Sequence, residues 1–286
     1  MTIRFSCVVD EAAKFHQQAV VFVASAIVLA GISPDQIYVH VIGGRETSAT
    51  RHLRGLGVTI VPCRPFDPAH PYCNKLLQLR SAPLQDADLL VLCDCDLAFA
   101  GPIGDALEGM RLRAKIVDCA NPPLSILEGL FRSADFPGPL RTRKVDFSDD
   151  ATQRNNCNGG LYVLPRGLYG RLAGTWPKWV QWLHERIDAL EGYAMHSDQV
   201  AFALALEELG VDVDHLPPTH NYPTHLGSLL TDTPTPPAVL HYHSRYSLDR
   251  GLLPTGLANV DTAVGRVNGV ILPVLASLQR ESADLC

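Results

Sequence analysis

Residues 89–99 read LLVLCDCDLAF, an apolar run that ends on two carboxylates one residue apart. Side chains alternate along an extended strand, so Asp94 and Asp96 face one way and Cys93 and Cys95 the other. Carboxylate oxygens are hard ligands suited to Mg²⁺ or Mn²⁺, ions that complete their coordination with water and substrate phosphates. The pair therefore points to a divalent cation holding a diphosphate. A second apolar run, VLHYHS, brings His241 and His243 to its end, again on one face. An imidazole beside two carboxylates is a reasonable donor set for Mn²⁺. The plainer reading has the acids capping a turn and each histidine as an ordinary polar residue. A structural zinc site built from the CxC and HxH pairs needs the thiols on the histidines' face, and the alternation argues against it.

These residues need elements to position them. The first third of the chain alternates a strand over 3–9, a helix over 12–30, a strand in QIYVHVIGG, a short helix near 46–55 and a strand in GVTIVPC. A helix containing NKLLQLRSAPL follows, and then the strand that carries the acids. Short, nearly continuous apolar runs are what a parallel sheet covered on both faces requires. Acids at the C-terminal end of such a strand sit at the crevice where open α/β sheets bind ligands. Further strands are expected in AKIVDCA, GGLYVLP, VDVDHLP and AVLHYH. Residues 127–156 are rich in turn formers and charge and read as irregular, either an active-site lid or a surface excursion.

In LYGRLAGTWPKWVQWLHERIDALEG, a helix candidate, Trp176, Trp179 and Trp182 recur every three residues, as a core stripe or as an aromatic platform for a sugar. HSDQVAFALALEEL opens a helix with Ser197 at the N-cap, which places Asp198 and Gln199 in the first turn. The tail over 261–280 also reads as helical, with a kink at Pro273, and either closes the core or pairs two subunits as a homodimer.

Composition narrows the function classes. The chain has 286 residues, 47% of them hydrophobic and 19% charged, which specifies a packed globule of enzyme size. A net charge of −6 and the lack of a basic run argue against nucleic acid. The N-terminus lacks the regions of a signal peptide. The most apolar run, residues 19–32, is shorter than the roughly 20 residues of a membrane span. Eight cysteines without a CxxC pair read as reduced core thiols, and together these features imply a cytoplasmic protein.

The ordered series of a strand ending in DxD, then NCNGGLYVL, HSDQ, LPPTHN and VLHYHS, resembles the GT-A glycosyltransferases, in particular the family-8-like nucleotide-sugar enzymes. The likeness runs from residue 3 to about 250. It implies an α/β fold of GT-A type with a mostly parallel central sheet flanked by helices. Residues 1–100 would form the nucleotide-sugar half, 101–250 the acceptor and metal-completing half, and 251–286 a helical extension.

By the same resemblance, Asp94 and Asp96 bind the metal and the donor, Asn158 and Gly160 lie beside the donor sugar, and Asp198 with Gln199 stands near the reacting centre. His241 is the third protein ligand to Mn²⁺ or Mg²⁺, with His243 as the adjacent alternative. Lys75 in NKLLQL approaches the donor, and Asp10 borders the base. One departure is plain: the family's His-x-Gly-x-x-Lys-Pro run is replaced by HYHSRYSLDR, where Arg245 and Arg250 are the nearest cations but stand at non-matching positions. Bland alternatives are a surface role for Lys75, a simple turn for Asn158 and Gly160, helix-dipole complementation for Asp198 and a loop role for Asn221.

The expected activity is metal-dependent transfer of a hexose from a UDP- or GDP-linked donor to a carbohydrate or other hydroxyl acceptor. The alternatives are a phosphatase of the haloacid dehalogenase type, in which Asp94 is the nucleophile and Asp149 and Asp150 form a second acid pair, and an inactive nucleotide-sugar binding protein.

Overall fold

The structure, a computed structural model, describes residues 1–283; Cys286 lies outside the described residues. Its first part builds strands β1 (Ile3–Val9), β2 (Ile37–Ile42), β3 (Thr59–Cys63) and β4 (Leu89–Cys93), with helices α1 (Ala13–Val28) and α2 (Ser48–Gly55) in the crossovers. After β4 come a short strand β5 (Leu97–Phe99), β6 (Arg113–Ile116), helix α3 (Leu124–Ser133), the hairpin strands β7 (Thr142–Lys144) and β8 (Ala151–Gln153), and the long β9 (Cys157–Pro165). Helices α4 (Arg166–His184) and α5 (Ser197–Leu209) follow, then the short strands β10 (Asp214–His215), β11 (Tyr222–Pro223), β12 (Val239–His241), β13 (Tyr246–Ser247) and β14 (Gly251–Leu252). Helix α6 (Ala258–Ala283) ends the described chain and continues across Pro273.

The main sheet has the order β10-β6-β9-β4-β1-β2-β3. The four N-terminal strands are parallel neighbours, whereas β9 runs antiparallel to both β4 and β6. Alternation on β4 divides the core. Leu90 and Leu92 join Tyr162 and Leu164 under α4 and α5, while Leu89, Val91 and Cys93 join Leu161 and Val163 under α1. Both faces are therefore covered, which is why this strand is apolar throughout.

The tail closes the core: Val260, Val264, Val267 and Ile271 of α6 pack with Val21 of α1. The tryptophans form the core stripe, with Trp176 and Trp179 buried and Trp182 packed against them. Trp176 meets Tyr162 edge-on at 5.6 Å and lies 4.7 Å from Phe202. No helix among the described residues is long and apolar enough to cross a membrane. The seven described cysteines are unpaired.

The NKLLQL segment is helical as expected, in the 3₁₀ form over Pro71–Arg80, and its Asn74 and Lys75 side chains donate to Asp10 and to the Gly159 carbonyl. Two expectations are corrected. Residues 127–156 do not line the cleft described below and are only partly irregular: Leu127, Leu130 and Phe131 form the buried stripe of α3, and the β7–β8 hairpin follows, with turns and loop between these elements. His196, not Ser197, occupies the N-cap position of α5, a shift of one residue that leaves Asp198 in the first turn.

Trp176→Ala should lower unfolding free energy by about 3–5 kcal/mol, read by urea denaturation. A loss below about 1 kcal/mol would contradict its place at the centre of this packing.

Candidate functional site

The acids are held by strand pairing on two sides. The Asp94 amide donates to the Gly160 carbonyl at 2.9 Å, extending the β4–β9 pairing by one residue. Because β5 starts directly after Asp96 and pairs antiparallel with β12, His241 stands opposite Leu97, and the Tyr242 amide donates to the Asp96 carbonyl at 3.2 Å. The result places His241 Nε2 3.2 Å from Asp96 Oδ1 and 4.0 Å from Asp94 Oδ2, and His243 Nδ1 3.6 Å from Asp96 Oδ2. His243 adopts a left-handed φ of 50°, a conformation uncommon for a side chain with a Cβ. Its carbonyl accepts a 2.7 Å hydrogen bond from Gln18 of α1, which fixes the turn.

Asp96, His241 and His243 offer one ligand atom each within 4.8 Å of one another. His243 Nε2 and His241 Nδ1 are buried without a hydrogen-bond partner. Two imidazoles and a carboxylate, with the second oxygen of Asp94 close by, fit a divalent transition metal such as Mn²⁺. Among the described residues, the groups able to hold a metal contain no cysteine, so the CxC pair is not a zinc site; Cys93 and Cys95 are buried in the core under α1.

Lys75 bridges the acids. Its buried ammonium lies 2.8 Å from Asp94 Oδ1 and 3.7 Å from Asp198 Oδ2, and donates to the Gly159 carbonyl at 2.5 Å. A Cβ on Gly159 would meet Lys75 Nζ at 2.7 Å, and one on Gly160 would meet His241 Nδ1 at 2.8 Å and the Asn221 amide at 2.9 Å. Both glycines are therefore needed for close approach. The sequence reading named Gly160 and missed Gly159, although NGG held both.

Asn158 is a hub. Its Nδ2 donates to Asp118 Oδ2 at 2.6 Å, while its Oδ1 accepts from the Gly160 amide at 2.9 Å and from Asn221 Nδ2 at 3.0 Å. Lys115, fully buried, donates to the other oxygen of Asp118. Asn221, on the loop leading into β11, is thus a buried support of Asn158. Asp118 was missed; its signal was an acid just beyond the strand in AKIVDCA, the same pattern that exposed Asp94. Asp10 accepts from Asn74 Nδ2 at 2.7 Å. Gln199 Nε2 lies 3.5 Å from His196 Nδ1.

Asp10, Lys75, Asp94, Asp96, Asn158, Asp198, Gln199, His241 and His243 all line one cleft of about 780 Å³, with Gly160 behind its wall. Arg245 and Arg250 do not line it; Arg245 donates to the Pro254 carbonyl instead. Among the described residues, Lys75 is the one lysine or arginine in the cleft lining.

Charge in the cleft follows from burial and pairing. Burial pushes Asp198 up from 3.8 to about 6, with Lys75 opposing and Asp94 adding to the rise. Burial alone would raise Asp96, but His241 and then His243 hold it well below the usual carboxylate range. Burial alone would lower His241, yet Asp96 and then Asp94 keep it above its ordinary value. His243 is driven down to about 2 by burial and by His241.

No family model matches the chain, and no curated protein matches it. Solved structures do. A galactosyltransferase, LgtC, in complex with donor and acceptor sugar analogues, superposes with a TM-score of 0.60 at 14% identity, covering 93% of this chain and 96% of that one. GlyE, a glycosyltransferase of Streptococcus pneumoniae, gives 0.56 at 14% identity over 98% of this chain, which spans 64% of GlyE. Mouse xyloside xylosyltransferase 1 gives 0.51 at 14% identity over 85% of this chain and 98% of that one. The chain has the GT-A fold of these glycosyltransferases.

The raised carboxyl of Asp198 costs nothing below pH 3.8, where it is protonated folded and unfolded, and the cost grows until pH passes about 6. Asp198→Asn should therefore match the parent protein near pH 4 and exceed its stability at pH 8 by about 3 kcal/mol at most, in urea unfolding with a chelator present. A variant less stable at pH 8 would show the carboxylate to be compensated in full.

Proposed function

We propose that this GT-A chain is a metal-dependent glycosyltransferase that moves a hexose from a UDP- or GDP-linked donor to a hydroxyl acceptor. The observation that carries the reading is the convergence, in one cleft, of a cation-binding set with the buried Lys75–Asp198 pair. Asp94, Asp96 and His241 would hold the cation, with His243 beside them. A divalent cation bound there supplies Lewis-acid stabilisation of the charge left on the departing diphosphate.

The chain's own residues divide the remaining work. In this reading residues 1–100 supply the donor side, with Asp10 toward the base and Lys75 as the cation nearest the phosphates. Residues 101–250 supply Asn158, Gly160, Asp198 and Gln199 around the sugar, and 251–286 support them from outside. Lys75 takes the role that the missing lysine after His241 leaves open, because Arg245 and Arg250 are directed elsewhere. Asp118, oriented by Lys115 and Asn158, also lines the cleft and holds the Asn158 side chain in place. An inverting reaction would use Asp198 as general base, and burial raises its pKa to about 6, which makes it a stronger base than an exposed carboxylate. A retaining reaction would pass the acceptor proton to the departing phosphate oxygen. The anomeric configuration of the product separates the two.

The phosphatase alternative loses its second acid pair: Asp149 and Asp150 lie on the connection between β7 and β8 and do not line the cleft. An inactive binding protein would share the cleft and differ only in turnover.

Thermal shift with UDP, GDP and their common sugars, with and without Mn²⁺, tests the reading. Manganese-dependent stabilisation by one nucleotide is expected, since a ligand that binds only the folded state raises Tm. Asp96→Ala should abolish it. Asp198→Asn should keep it and reduce transfer by about 10²–10⁴-fold. No shift with any nucleotide, or full transfer by either variant, would refute the assignment.

A further inference from the structure

A second cluster stands at the rim of the same cleft and is absorbed by none of the chemistry above. Asp67 and His70 lie in the segment leading into the Pro71–Arg80 helix, and His184 is the last residue of α4. Their ligand atoms lie within 4.8 Å of one another, with His184 Nδ1 3.3 Å from Asp67 Oδ2. The rings of His70 and His184 are stacked, with centroids 3.7 Å apart and planes 30° from parallel. All three residues are half-buried.

We propose that Asp67, His70 and His184 form a second metal site, selective for a Zn²⁺-class ion. Two imidazoles and one carboxylate, with water in a fourth position, are a familiar tetrahedral zinc set, whereas Mg²⁺ and Ca²⁺ call for more oxygen and the Asp96–His241–His243 set has the Asp94 carboxylate beside it as a further oxygen donor. The second ring nitrogen of His184 supports the same conclusion. Its Nε2 faces the buried Cys73 Sγ at 3.7 Å. A ligating histidine commonly donates its other N–H to a fixed partner that sets ring orientation, and Cys73 is placed to accept it.

The site ties together parts distant in sequence. Asp67, Pro68, Pro71 and Tyr72 line the cleft, and Lys75 follows in the same 3₁₀ helix. A metal on His184 would fasten that rim to the end of α4, itself anchored by the Trp176 and Trp179 packing. The site is structural, distinct from the Asp96–His241–His243 set, and independent of which reaction the cleft performs.

The test uses the full chain, stripped with a chelator and titrated with Zn²⁺ and with Co²⁺ as a spectroscopic probe. The intact protein should bind two equivalents of Zn²⁺, and one equivalent of Co²⁺ should give the intense visible bands of a tetrahedral site. His70→Ala should bind one equivalent fewer and lose those bands. Asp96→Ala should retain both the bands and their dependence on His70. If His70→Ala has a lowered Tm without metal, Asp67→Asn serves as the second variant and should give the same loss. Unchanged Zn²⁺ stoichiometry in both variants, or tetrahedral bands that vanish with Asp96→Ala and survive His70→Ala, would overturn the proposal.

Discussion

Three carboxylates crowd one end of the main sheet, and the arrangement of the cleft follows from keeping them there. Asp94, Asp96 and Asp198 come from two different elements, and at short range in a poorly solvated wall their mutual repulsion is severe. Lys75 offsets it between Asp94 and Asp198, and His241 offsets it at Asp96. A buried charge is tolerated only where partners and hydrogen bonds are complete, and Lys75 meets that condition through the Gly159 carbonyl. The glycine pair follows from the same constraint. Side chains at 159 or 160 would displace the lysine or the histidine that neutralise the acids.

Topology then determines which residues can answer the acids. β9 runs antiparallel beside β4 and delivers Asn158, Gly159 and Gly160 to the point where β4 ends. β12, entering from almost 150 residues later, pairs with the three residues that follow Asp96 and so brings two histidines to the same point. Helix α5 directs its first turn there, and the Trp176 indole fixes it by donating to the Asp198 carbonyl at 2.8 Å. The tryptophan stripe therefore acts on the site through packing rather than by contact with a sugar.

Much of this was legible in the sequence, for physical reasons. Apolar runs such as LLVLC mark strands covered on both faces, and an acid at the end of such a run marks the ligand crevice. The residue pairs Asp94 and Asp96, and His241 and His243, were readable because strand alternation puts each pair on one face. What escaped depends on long-range contact. Asp118 and Asn221 matter only because Asn158 joins them, a link across 40 and 63 residues. Within residues 127–156 the helix escaped because the α3 stripe is short and is followed at once by turn formers. Arg245 and Arg250 stood out by charge alone, and position excludes both from the cleft.

The most direct test of the account is anomalous diffraction at the manganese edge from a crystal grown with Mn²⁺ and the nucleoside diphosphate. The account predicts one strong peak among Asp94, Asp96 and His241, with diphosphate oxygens completing the shell and the sugar-binding side open toward Asp198. A nucleotide seated in the cleft without metal at that position, or manganese bound only elsewhere on the chain, would contradict it.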